Sequence, residues 1–535
     1  MRISSGRPGS YNPPGLSDTR KLVRSTWGIT AWTVVSRLAG VVRDATIARF
    51  LGASAASDVF YTAYRLPNTF RAIVGEGGLP GAFVPMAKKV ERERPGEEGA
   101  YAGRMLVLLV CVLVGLVSIG IVFAGPIVAL FAEGFKATPG KFELTVRLTR
   151  WMFPYILLVS VASLFEAYLN AKGRFQLSAS TPIALNLAIV AAAWLLAPAG
   201  VPPLAALTAG VLFGGVLQVA LQGPAVRKLG FRFAGSPFKD PEVSRTALQI
   251  APRLYGYSVG QLSLVVSTRT LAALGDAFVT YNFYAFRIVD FVLGGFVVSL
   301  TRTVLPALSE QAFEKDRSAY KATVAFALRL VGFVTIPSMV GLMLLAAPIV
   351  DLIFRRGRFA EADVAKTALA VVFFAVGLYA AAGVKIVTQA FYALHDTRTP
   401  VIVATADLAV FWAMCVWLAK PLQHAGVALA TSAGFWINFL VLLALLWRRM
   451  GTLGGRTIVF ALARLLLASL AMGGVVWLLA HRLLPYDAGW GLVARAGWVA
   501  GAAAAGAGAF FAFAALLRAP ELGEALGALR RRKPS

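Results

Sequence analysis

The chain has 535 residues, 58% of them hydrophobic and 15% charged, where a soluble globular protein carries about 45–50% apolar residues. With a mean hydropathy of +0.71, this excludes a disordered chain, a coiled coil and a string of soluble domains, and calls for a lipid solvent. Lys and Arg number 52 against 26 Asp and Glu, a formal +26, which in a membrane protein reads as cations retained on cytoplasmic loops rather than a nucleic-acid surface.

Residues 1–24, rich in Gly, Pro, Ser and Arg, read as a disordered basic cytoplasmic tail. The apolar segment after it lacks a small-residue cleavage site, so it is expected to remain as the first span. A spanning helix uses about 20 mostly apolar residues. On that measure spans fall at 26–50, 57–88, 102–131, 143–170, 178–198, 203–226, 246–274, 279–308, 321–349, 364–393, 400–419, 424–447, 457–481 and 490–517. The expected fold class is an all-α polytopic membrane protein with about fourteen transmembrane helices.

The even-to-odd connections and both tails hold most loop cations, among them Lys88, Lys89, Lys172, Arg174, Arg227, Lys228, Arg448 and Arg449, so both termini are expected in the cytoplasm. Arg355, Arg356 and Arg358 break this rule on the opposite face. They read either as a site for anionic headgroups or, more plainly, as a solvated loop.

An internal repeat runs through the chain. Tyr64-Arg65-Leu66 resembles Phe286-Arg287-Ile288, with the arginines 222 positions apart. Ala167 to Asn170 resembles Tyr392 to His395 at 225, and Arg227 to Gly230 resembles Arg448 to Gly451 at 221. Two pseudo-symmetric six-helix lobes are expected, at 25–230 and 240–450, followed by two C-terminal helices at 456–518 and a basic cytoplasmic tail at 519–535. Because six is even, the lobes keep one orientation, an arrangement suited to a transporter that binds its substrate between them near the midplane.

Charges cluster where lipid should be. The first two spans hold Arg37, Arg43, Asp44, Arg49, Asp58, Arg65, Arg71 and Glu76. Arg37 and Asp44, like Asp58 and Arg65, are seven apart and share a helix face. Arg287 with Asp290 adds an i,i+3 pair, and Lys385 a cation, from the second lobe. Charges in a bilayer need a wet cavity or a partner. The surplus of arginine predicts a cationic cavity able to grip a phosphate or carboxylate bidentately, with salt bridges between helices as the alternative; the acids beside the arginines read as their positioning partners. Gly75, Gly77 and Gly78 among the prolines of span 2 suggest a hinge. Glu166 and Asp407 are weak candidates for binding a coupling ion, though structural partners are the plainer reading.

Enzyme motifs are lacking: there is no GxxxxGK(S/T), no HExxH around His395, His424 or His481, and no CxxC at Cys111 and Cys415. No cofactor, metal site or catalytic residue is assigned.

The run Ser36-Arg37-Leu38-Ala39-Gly40-Val41-Val42-Arg43-Asp44, with Asp58-Val59-Phe60, Arg65-Leu66-Pro67-Asn68, Arg71 and Glu76-Gly77 to Ala82-Phe83-Val84-Pro85, resembles the MurJ (MviN) family of lipid II flippases. The likeness continues through Phe153 to Leu158, Gly215 to Gln218, Arg287, Leu305-Pro306, Lys385 and His424-Ala425-Gly426. It implies the multidrug/oligosaccharidyl-lipid/polysaccharide exporter fold, with the last two helices forming a groove for a lipid tail. By the same likeness Arg37, Arg43, Arg71 and Arg287 would engage the diphosphate and sugar headgroup of lipid II, with Asp58, Glu76, Asp290 and Lys385 beside them. The chain departs from the family pattern at Arg269, Glu166 and Asp407. The implied function is flipping of the lipid-linked peptidoglycan precursor across the bacterial inner membrane by alternating access, biased by membrane potential or a monovalent cation. Membrane lipids and cell-wall synthesis machinery would be its partners. A drug or polysaccharide-lipid exporter of the same superfamily is the alternative. A membrane glycosyltransferase or phosphatase would need a carboxylate pair or metal site, and a passive scaffold leaves the buried cations unexplained.

Overall fold

The computed structural model describes residues 16–71, 78–312, 314, 316–452 and 454–523, among which there are helices and turns but no strand. The first half comprises α1 (Leu16–Leu51), α2 (Ala55–Arg71), α3 (Leu79–Glu93), α4 (Glu98–Val122), α5 (Ala124–Ala132), α6 (Lys141–Met152), α7 (Pro154–Ala171), α8 (Phe175–Leu196) and α9 (Pro203–Lys228). The second comprises α10 (Pro241–Leu274), α11 (Phe278–Val292), α12 (Val298–Gln311), α13 (Ser318–Phe354), α14 (Glu361–Ala375), α15 (Leu378–Ala393) and α16 (Arg398–Met450). Finally come α17 (Gly455–Leu478) and α18 (Leu492–Leu516). α1 begins at Leu16, inside the stretch read as tail.

Breaks follow local chemistry. Pro154 and Pro203 each open a helix at the first position, where a missing N–H costs nothing. Asp240 caps α10, its Oδ1 accepting from the Glu242 amide at 3.0 Å. α16 is interrupted at Gln423 (φ 50°, ψ −130°), two residues after Pro421, so its two arms match the separate spans expected at 400–419 and 424–447.

Among the described residues eight helices are long and apolar enough to cross a membrane, or nine if α14 and α15, bent by 42°, count as one. This is fewer than the fourteen expected, for a physical reason. One of the eight, α16, covers two expected spans. Those that fall short are the expected spans 26–50, 246–274 and 279–308, where interior charges lie, and 57–88, which holds such charges too and runs partly outside the described residues.

The halves pack by one scheme. α2 lies on α6 and α3 on α7, just as α11 lies on α14 and α12 on α15. α17 and α18 pack on each other and on α13, outside both halves. Their outer faces carry exposed Val459 and Phe460 on α17 and Phe511 and Leu516 on α18, surface that only lipid solvates cheaply.

At one end the halves are tied by a buried ionic clamp. Asp58 of α2 is fully buried and meets Lys141 Nζ of α6 at 2.9 Å. The same carboxylate accepts from the backbone amides of Ala277 (2.8 Å) and Thr280 (3.0 Å) and from Thr280 Oγ1 (2.7 Å). A side chain of one half thus caps a helix of the other. Ala277 itself sits at φ 71°, an unusual conformation for a residue with a Cβ.

A second clasp lies beyond the expected spans. Lys172 Nζ donates to Glu91 Oε1 and Glu98 Oε1, each at 2.8 Å, and Lys88 reaches Glu91 Oε2 at 2.8 Å. Hydrogen bonds from the two lysines hold the Glu91 carboxyl down at about 2. Its stabilisation is therefore complete above its ordinary 4.5 and lost as pH falls toward about 2. Lys172→Met is expected to lower the thermal unfolding midpoint at neutral pH, with the gap to wild type closing across that window; a gap independent of pH would show that the clasp contributes nothing electrostatic.

Candidate functional site

Between the halves lies a cavity of about 420 Å³, walled by α1, α2, α7, α8 and α9 on one side and by α10 and α11 on the other. Four arginines line it, Arg37, Arg43, Arg65 and Arg287, against two carboxylates, Glu166 and Asp290. Amides from Asn68, Asn186, Gln218 and Gln261 complete its polar wall.

Asp44 organises the arginines from beneath. Its carboxylate is fully buried, and its Oδ1 accepts from Arg43 Nε at 2.9 Å and Nη2 at 2.7 Å. Across the seam, Arg287 Nε donates to Asp44 Oδ2 at 3.1 Å. Arg43 also donates to Asn186 Oδ1 at 3.0 Å, and Asn186 Nδ2 reaches the Ser36 carbonyl at 3.3 Å. Arg43 is thus held on several sides with a side chain 8% exposed, whereas that of Arg287 is 41% exposed and presents its outer edge to the cavity.

Arg37 crosses the seam at another level. Its Nη1 donates to the Phe291 carbonyl at 3.1 Å, and its guanidinium lies 5.8 Å from the Phe291 ring centroid. This carbonyl precedes a widened π-turn at Leu293–Val297, between α11 and α12. Gly294 in that turn lets the arginine close in, since a Cβ there would stand 1.9 Å from Arg37 Nη2. Gly40 plays a milder version of this part under Arg287, where a Cβ would meet Nη2 at 3.0 Å. Arg65 turns into the wall, donating to Thr268 Oγ1 at 2.6 Å and lying 5.7 Å over Phe283.

The residues expected at the site therefore divide. Arg37, Arg43, Arg287 and Asp290 share the cavity, as does Glu166, whose Oε1 accepts from Ser178 Oγ at 3.3 Å. Asp58 is a correction: it does not line the cavity, because the Lys141 and α11 contacts consume it within the clamp. Lys385 is not among the lining residues, though its charge interacts with those of Asp290 and Arg37. The side chains of Arg71 and Glu76, with the hinge expected at Gly75 and Gly77, lie outside the described residues. Asp407 is remote, on the first arm of α16, within 3.4 Å of Asn438 Nδ2 on the second. Arg269 is paired with Glu133 and bonded to the Ala129 carbonyl at 3.1 Å. Sequence reasoning counted Arg65 among the inward-facing charges without naming it at the binding site, and it passed over Asn186 and the two glycines. Only Arg65 left a signal, its repeat match with Arg287.

Such an arrangement suits an anion. Guanidinium groups held in place by a buried carboxylate are pre-oriented to donate pairs of N–H bonds to phosphate oxygens, and the surrounding amides suit hydroxyl and amide groups of a polar head.

A family model described as lipid II flippase MurJ matches residues 47–493. A probable lipid II flippase MurJ of Vibrio cholerae is 31% identical over 519 residues, covering 93% of this chain and 97% of that one. The lipid II flippase MurJ of Burkholderia cenocepacia is 33% identical over 427 residues, covering 79% and 83%. Among solved structures, a lipid II flippase MurJ in an inward closed conformation superposes with a TM-score of 0.76 at 23% identity, covering 91% of this chain and 98% of the other. An inward-facing multidrug resistance MATE family transporter of the MOP superfamily gives 0.59 at 12% identity, covering 79% and 96%. At those identities the structural likenesses speak for the fold.

Gly294→Ala is expected to push Arg37 off the Phe291 carbonyl and weaken pyrophosphate binding by the detergent-solubilised protein about three- to tenfold, the worth of one charge-assisted contact. Titration calorimetry checks it, and unchanged affinity would mean that Arg37 takes no part in anion binding.

Proposed function

The chain belongs to the lipid II flippase MurJ family, and we propose that it carries lipid II between leaflets by alternating access, with the diphosphate gripped by Arg37, Arg43 and Arg287. It is a multi-pass membrane protein and a transporter, without an ATP-hydrolysing motif. Its place is the bacterial inner membrane, with both termini in the cytoplasm.

One observation carries the reading: a single buried carboxylate, Asp44, binds Arg43 of its own half and Arg287 of the other beneath an arginine-lined cavity. Arg287 shares its charge with Asp44 when the halves stand as described here. Tilting them apart at this level removes Asp44 from Arg287 and leaves an uncompensated guanidinium, which an arriving diphosphate relieves. The anion therefore does more than bind; it alters the cost of moving the halves. With both termini inward, the Asp58 clamp lies at the outward end and seals it. Its opening and re-forming mark the outward half of the cycle, while the headgroup's prenyl tail stays in lipid along α17 and α18.

Charge also fixes how the empty carrier responds to voltage. An unfilled cavity with a surplus of arginine moves in the membrane field at about 2.3 kcal/mol per charge per 100 mV, and the bound diphosphate cancels that sensitivity. Glu166 is better placed than Asp407 to carry a coupling proton or cation, because it shares the cavity with the arginines. Cell-wall synthesis enzymes at the outer surface would take the delivered substrate.

The test is replacement of the native flippase in a depleted bacterial host. The parent chain is expected to restore growth and outward exposure of lipid II. Arg43→Ala and Arg287→Ala, made and inserted equally well, are expected to fail, each losing about ten- to a hundredfold in headgroup affinity. A parent that inserts but leaves lipid II inside points to a drug or polysaccharide-lipid exporter. Full rescue by the alanine variants makes the arginines structural.

A further inference from the structure

Outside the central cavity a second groove of about 550 Å³ opens where α1, α8 and α13 end and α18 begins. It holds two cations, Arg49 of α1 and Arg356 of the turn after α13, and no carboxylate. Arg49 lies 5.0 Å over the ring of Trp194, which is itself half exposed. Arg356 spends one N–H on the Leu352 carbonyl at 3.0 Å. Its neighbours are accounted for differently: Arg355 is neutralised by Asp351 and Glu361, each at 3.1 Å, and the Arg358 amide is bound to the Arg49 carbonyl at 3.1 Å.

The rest of the wall is apolar, with Val42, Ile353 and Leu492 among its members, and Val42 and Leu492 are exposed on the outer surface. Cations at a helix-end level beside an interfacial tryptophan, above an apolar trough, are the pattern of a phosphate head with its chains below. Thr46 is the one uncharged polar side chain in the wall. Nothing there would recognise sugars or a peptide, unlike the amide-rich central cavity, so the flipped substrate is a poor occupant.

We propose that this groove is a binding site for an anionic glycerophospholipid of the leaflet at this end, its phosphate held between Arg49 of the first half and Arg356 of the second. The two halves already meet here. A Cβ on Gly52 would stand 2.6 Å from the Arg358 carbonyl oxygen, and one on Gly357 2.4 Å from that of Arg49, so both turns need glycine, at φ 66° and 60°. A phosphate spanning the two arginines adds a bond across that seam and holds this end shut. The site itself does not depend on the flippase reading.

The full chain in nanodiscs of defined lipid provides the test, with bound lipid counted by native mass spectrometry after release into detergent. Phosphatidylglycerol is expected to be retained in preference to phosphatidylcholine. Arg49→Gln and Arg356→Gln should each weaken retention about fivefold, the share of one cation near an anionic head. Arg49→Lys and Arg356→Lys keep the charge and should keep most of the binding, which separates a lost ligand contact from a damaged fold. Millimolar inorganic phosphate should compete weakly, because it lacks chains to fill the trough; full displacement by it would overturn the lipid assignment in favour of a free-anion site. Equal retention of the two lipids by the wild type, or undiminished phosphatidylglycerol on an Arg49→Gln/Arg356→Gln double variant, overturns the proposal outright.

Discussion

Everything central in this protein depends on Asp44. A carboxylate with no access to solvent is tolerable only if its charge is met at close range, and here two guanidinium groups meet it from opposite halves of the chain. The requirement fixes which helices must face one another. α1 and α11 cannot turn their charged sides to lipid, so the first two spans of each half gather around a common axis. The strongly apolar helices α4, α17 and α18 are left to face the bilayer. Charge placement thus sets the charged helices of both halves on the cavity, where the amides and hydroxyls of α7, α8 and α9 complete the wall.

The same constraint shapes the backbone. Guanidinium groups are broad and flat, and bringing them from one half onto the other needs places without side chains. Gly294 and Gly40 supply these, and the widened turn after α11 offers a carbonyl to Arg37. The opposite solution appears at the Asp58 clamp. There the backbone amides of a helix end come to the carboxylate, at the cost of a left-handed alanine. Two acids on neighbouring helices therefore do different work: Asp44 arranges cations for a visitor, and Asp58 closes an end.

Much of this was legible in the sequence. Hydropathy and the 222-position echo between Arg65 and Arg287 announced paired halves, because a repeated charge in a lipid environment is hard to explain otherwise. Asp44 beside its arginines read correctly as their partner. Asp58 misled. Seven residues from Arg65, it shares a helix face with a cavity arginine, yet it sits two turns nearer the helix end, where Lys141 and the start of α11 intervene. Lys141 looked like an ordinary loop cation, and its side chain is 2% exposed. Neither fact has a local signal, since each depends on a partner some 80 to 220 positions away. The amides fared no better: Asn186 in an apolar helix looks like one more tolerated polar residue until Arg43 is seen against it.

The clamp has a consequence for biogenesis. A ribosome making about 5–20 residues per second leaves roughly ten to forty seconds between the emergence of Asp58 and that of the α11 amides it will cap. During that interval the acid is not orphaned, because Lys141 arrives in the same half. Arg43 likewise has Asp44 at once, and Asn186 follows within the same half. The first half can therefore sit in the membrane with its charges settled, as a waiting template. Arg287 has Asp290 one turn on in α11, but the ion pair it makes among the described residues is with Asp44, reached by docking on what was made before it. Assembly is directional for this reason: the contacts of Arg43 and of Lys141 with Asp58 close within the early half, whereas the Arg287–Asp44 pair forms only once the late half docks on it.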